Sequence, residues 1–120
     1  MMMKPTRPLV AGAVVALFLC LAALPASAWT YRYLYYPGWG LSASTGLFSE
    51  GSCGATGSTQ GVAYYPTQTV KSTGGSGCRV SAQIGIWNGG GVTWELEDVD
   101  PTLAAVGSIY QPYMTRHGVD

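Results

Sequence analysis

Charge is scarce in this chain. Only 10% of its 120 residues are charged, with six bases against six acids. Two of the bases, Lys4 and Arg7, lie in the first ten residues. The remainder, Arg32, Lys71, Arg79 and Arg116, face Glu50, Glu95, Glu97, Asp98, Asp100 and Asp120, a net charge of −2. Four scattered cations make no electrostatic footprint for nucleic acid and no basic patch for anionic lipid. Histidine is scarcer still. His117 stands alone, three residues from the end, which argues against a zinc site and against a Ser-His-Asp triad. No EF-hand spacing, C-x-x-C pair, heptad or internal repeat occurs. Gly74-Gly75-Ser76-Gly77 and Gly89-Gly90-Gly91 resemble phosphate-cradling loops in composition only, since no lysine-bearing helix follows either. The sequence therefore offers no catalytic, cofactor or metal motif.

Long apolar runs are absent except at the start. Leu9 to Leu24 is uncharged, follows Lys4 and Arg7, and ends at Pro25 and the small residues Ala26-Ser27-Ala28. That order of basic start, apolar middle and small-residue exit is a secretory signal peptide. The run is about 16 residues, short of the roughly 20 that span a bilayer, so cleavage is expected in place of anchoring. Residues 1–28 are read as the leader and residues 29–120 as a single small β domain, secreted or periplasmic.

Cysteine supports that compartment. Cys20 goes with the leader, and Cys53 and Cys78 remain as an even pair. One disulfide is expected in an oxidising space, and a domain this small gains from a staple. The chain-entropy account gives roughly 3–3.5 kcal/mol for closing such a loop.

What the chain has in quantity is aromatic residues and glycine. Residues 29–120 hold all four Trp, all eight Tyr and Phe48, and the chain holds 17 Gly. Strand-forming aromatics punctuated by glycine turns predict an all-β fold, a small antiparallel sandwich or barrel. Trp29 to Tyr36 alternates as a strand, with Trp29, Tyr31, Tyr33 and Tyr35 on one side. Leu41 to Phe48 alternates more weakly and is expected to pair back on it. Glu50 to Gly61, rich in Gly, Ser and Thr, reads as a loop held by Cys53. Val62–Tyr65 and Thr69–Ser72 read as short strands. From Cys78 to Ile86 the alternation is strict, with Val80, Ala82, Ile84 and Ile86 together. Keeping Val92, Trp94 and Leu96 on that apolar side requires an odd-length turn at Asn88-Gly89-Gly90. Asp100, Pro101 and Gly107 carry cap signals that predict one short helix over 101–106. Ser108 to Thr115 reads as a last strand, and Arg116 to Asp120 as a loose tail.

Two features point to binding. The stripe Trp29, Tyr31, Tyr33 and Tyr35, with Trp39 nearby, is either half of the core or a face on which rings stack against sugars. Trp87, beside the glycine turn and opposite Ile84 and Ile86, is an anchor for a partner if exposed. The acidic run Glu95, Glu97, Asp98 and Asp100 offers oxygen ligands for calcium, or a solvated strand face followed by a cap. The expected function is a non-catalytic binding module for a cell-surface glycan or a secreted protein. The alternative is an inhibitor that plugs a hydrolase with the Glu50–Gly61 loop or the Trp87 tip.

The stretch from Tyr33 to Gly40, Tyr-Leu-Tyr-Tyr-Pro-Gly-Trp-Gly, resembles the aromatic-to-glycine hairpin of βγ-crystallin domains, with Cys78-Arg79-Val80 near the place of that family's fourth strand. The chain lacks the second copy of the motif. The resemblance implies only a two-sheet arrangement of Greek-key type.

Overall fold

A computed structural model describes residues 28–120; the expected leader, apart from Ala28, lies outside them. Eight strands follow in order: β1 Thr30–Tyr35, β2 Ser42–Glu50, β3 Cys53–Gln60, β4 Thr67–Thr73, β5 Val80–Trp87, β6 Val92–Asp100, β7 Leu103–Val106 and β8 Met114–Val119. They form two antiparallel four-stranded sheets, β1-β8-β5-β6 and β2-β3-β4-β7. The sheets pack as a sandwich around Phe48, Ala55, Val80, Ala82, Ala104 and Val119, with Ile84 also fully buried. Cys53 and Cys78 are disulfide-bonded and tie the start of β3 to the residue just ahead of β5.

The core is unusually polar. Thr59, Thr67, Thr69, Thr115 and His117 are buried between the sheets. Period-two alternation on β8 turns Thr115, His117 and Val119 inward and Met114, Arg116 and Gly118 outward. The polar groups satisfy one another. Thr69 donates its hydroxyl to the Ser81 carbonyl at 2.6 Å, so at its 2.9 Å contact with His117 Nδ1 it must accept. The proton therefore sits on Nδ1, and Nε2 accepts from Thr115 at 2.8 Å. Thr59 then donates to Thr115 at 2.7 Å. Every proton in the chain has a direction, and the chain fits only a neutral imidazole. Burial pushes the His117 pKa from 6.5 down to about 4, against an upward pull from a backbone hydrogen bond at Gln68.

Several expectations from the sequence are corrected. Arg116–Asp120 is no tail, because β8 lies in the middle of its sheet between β1 and β5. Most of the expected Glu50–Gly61 loop, Cys53–Gln60, is strand β3, paired on both sides. Its weak strand formers are there for room: a Cβ on Gly57 would come within 2.3 Å of the His117 ring. Leu41–Phe48 does not pair back on β1, since β2 crosses to the other sheet and bonds β3. Val62–Tyr65 is a turn, with Tyr64 and Tyr65 both at positive φ.

The β5–β6 hairpin has an even, four-residue loop, with the Asn88 amide donating to the Gly91 carbonyl. Trp87 therefore faces Val92 and Gly85 faces Trp94, which turns Val92 and Trp94 outward instead of onto the Ile84 side. A bulge opposite Gln83 and Ile84, with Leu96 at φ 47°, then shifts the register.

The helix over 101–106 does not form. Asp100 does accept from the Thr102 and Leu103 amides at 2.9 and 3.0 Å, which holds its carboxyl below the usual range. The same bonds serve a turn as well as a helix start, and Leu103–Val106 then finds a strand partner in β4. Asp100→Ala should lower the melting temperature by a few degrees, while Asp100→Asn, which keeps an acceptor, should stay near the parent. A thermal melt of the two variants checks this.

Candidate functional site

The outer face of the β1-β8-β5-β6 sheet is built by alternation on four strands. Strand β1 contributes Tyr31, Tyr33 and Tyr35, with Trp29 just ahead of it. Strand β8 contributes Met114, Arg116 and Gly118. Strand β5 contributes Ser81, Gln83, Gly85 and Trp87, and β6 contributes Val92, Trp94 and Glu97. The stripe seen in the sequence is thus outside the core. Tyr33 is 52% and Tyr35 66% exposed, Trp87 53%, and Tyr31 is half-buried.

Glycines let the rings lie down on the sheet. A Cβ on Gly118 would meet the rings of Tyr31 at 2.9 Å and Trp29 at 3.0 Å. A Cβ on Gly85 would meet the Trp94 ring at 2.9 Å. The aromatic side chains lie across bare backbone on neighbouring strands, which is how a sheet compensates for missing side chains at glycine. Trp29 and Tyr31 are stacked nearly parallel, 13° apart with centroids 6.1 Å from each other. Tyr33 meets Trp94 at 5.8 Å.

Arginine joins these rings into one layer. The Arg116 guanidinium lies 4.7 Å from the Tyr31 centroid and 4.5 Å from that of Trp94. The Arg79 guanidinium lies 5.2 Å from the Trp29 centroid and is ion-paired with Asp120. A second cluster sits at the other end of β1, where Tyr113 bridges Tyr35 at 5.6 Å and Trp87 at 5.2 Å. The stripe and Trp87, separate candidates in the sequence, belong to one face.

That face is a platform and not a cleft. From Trp29 to Tyr35 it runs about 20 Å along the strand and roughly 14 Å across four strands. The described residues enclose no cavity beneath it. Trp39 lies elsewhere, in the loop after β1. It is 69% exposed and flanked by Gly38 and Gly40 at positive φ, and no ring contact joins it to the platform.

Sequence reading missed Trp94, Tyr113 and Arg116 as members of this face. The odd-turn register places Trp94 in the core. A tail at Arg116 overlooks Thr115, His117 and Val119, which alternate with it as a strand would. The acidic run is not gathered into a site. Glu97 stands opposite Gln83 on the outer face, Asp98 accepts from the Ala105 amide, and Asp100 closes its turn. Among the described residues no three His, Cys, Asp or Glu side chains are placed to share a metal.

No family model, curated protein or solved structure matches the chain.

Proposed function

We propose that this protein is a secreted, non-catalytic binding module and that the outer face of the β1-β8-β5-β6 sheet is a platform for an extended glycan. The observation that carries the reading is the continuous group of Trp and Tyr rings on this face, packed against the sheet at Gly85 and Gly118. Tyr33, Tyr35 and Trp87 are each more than half exposed, and exposed aromatic rings are where the CH faces of pyranose rings stack. Tyr hydroxyls and Gln83 stand beside them to meet sugar hydroxyls. A broad flat face suits a polysaccharide presented as a surface better than a short soluble oligosaccharide, which a groove would wrap. The disulfide fits the oxidising compartment in which such a ligand is met.

A protein partner is the second reading, since Trp, Tyr and Arg are the residue types that dominate protein interfaces. As a hydrolase inhibitor the chain would have to work through this face or the Trp87 tip. The Glu50–Gly61 segment is committed to strand β3 and is not a free plug.

Each stacked ring contributes ~0.5–1.5 kcal/mol beyond area burial, so removing one weakens binding about two- to tenfold. Tyr33→Ala and Trp87→Ala should each weaken capture on cellulose, chitin or peptidoglycan by that factor while melting near the parent. Binding curves on the insoluble polysaccharides, with a parallel screen against secreted proteases and lysozyme, test this. Parent protein that binds a hydrolase and no polysaccharide would move the assignment to the second reading.

A further inference from the structure

We propose that Arg116 makes the centre of this platform an anion subsite, so that the glycan it takes carries carboxylates. The inference rests on the platform reading. Arg116 sits on β8, flanked by β1 and β5, and its guanidinium is pinned between the Tyr31 and Trp94 rings. The Gln83 side-chain oxygen accepts from one terminal nitrogen, which fixes the plane of the group. Its Nε is buried and has no hydrogen-bond partner.

No carboxylate of the protein answers this charge. The ion pair among the described residues belongs to Arg79 and Asp120. Glu97 shares the face two strands away, with roughly 10 Å between the backbones, and is not ion-paired with Arg116. A half-buried cation with an orphan N–H and no counter-charge is an unfavourable arrangement for the empty face. A ligand carboxylate pairs the charge through the terminal nitrogens, whose planar fork matches a carboxylate, while the buried Nε stays out of its reach. The rings on either side then stack against the sugar that bears the carboxylate and its neighbours. A neutral glycan would cover the same cation without pairing it, and the cost of that desolvation sets the discrimination.

The test compares one backbone with and without its charge: polygalacturonate and its carboxyl-reduced form, each cast into affinity gels. Peptidoglycan, whose carboxylates hang from side groups, separates pendant acids from uronates in the chain. The parent should prefer polygalacturonate about tenfold, less at high salt. Arg116→Gln should bring the ratio of retention between the two forms to about one, whatever it does to the capture of each. Arg116→Lys, which keeps the charge without the planar fork, should fall between. Equal retention of the two forms by the parent, a measurement that needs no variant, overturns the subsite and leaves the platform standing. Dextran sulfate retained as strongly as polygalacturonate would overturn the carboxylate assignment in favour of charge alone. Failure of the parent to retain any of these polysaccharides overturns the platform and the subsite together.

Discussion

Acidification from neutral pH to about pH 4 should cost the fold roughly 3 kcal/mol through one residue, His117. Above its unfolded value of 6.5 the ring is neutral in both states, and stability does not depend on pH through this group. Between 6.5 and about 4 the unfolded chain takes up a proton that the folded protein refuses, so stability falls as pH falls. Below about 4 both states are protonated and the loss levels off. The refusal has a structural cause: the ring is buried between the sheets, where a charge loses its hydration, and a protonated Nε2 would face the Thr115 hydroxyl as a second donor until the hydroxyls reversed. Urea midpoints at neutral pH and near pH 4 measure the loss. His117→Gln should flatten the dependence in this window. A parent whose midpoint is unchanged across it would show that the imidazole is not held neutral.

Gly57→Ala should be strongly destabilising, costing about 3 kcal/mol, the upper end for overpacking. The added Cβ would lie 2.3–2.7 Å from three atoms of His117. The ring cannot step aside, because both of its nitrogens are held by threonines. Gly75→Ala, with nothing within 4 Å of the new carbon, is the matched control and should change little. If the clash with His117 is the cause, Gly57→Ala combined with His117→Ala should cost less than the two separate losses added together. Strict additivity in denaturant midpoints would place the damage elsewhere in β3.

Strand alternation was legible in β5, but the equally clear alternation of Val92 and Trp94 in β6 did not show that their side faces outward. Val80, Ala82 and Ile84 read as core and are buried. The stripe Trp29, Tyr31, Tyr33 and Tyr35 read correctly as one face of one strand, but periodicity does not say which face meets water. Strands made of small or polar residues went unread. In β3 the inward positions are Ala55, Gly57 and Thr59, and in β8 they are Thr115, His117 and Val119. Gly and Ala have low strand propensity, and Thr and His give no apolar signal to mark an inward side; their selection is imposed from across the sandwich by the shape and hydrogen bonds of the facing sheet. Asp100 shows the converse. Its local bonds were foreseen, yet they stop a turn as readily as they start a helix, and pairing with β4 decided which.

The sequence by itself determined an all-β chain, the pairing of Cys53 with Cys78 and the clustering of aromatics on β1, because composition, an even cysteine count and period-two alternation are local properties of the chain. Only the tertiary structure decided that the aromatic stripe faces outward, that Trp87, Trp94, Tyr113 and Arg116 join it, and that a neutral histidine lies between the sheets. Those outcomes turn on strand order and on the length of one hairpin loop. A shift of a single residue in that register moves a whole strand's side chains from one face of the sheet to the other.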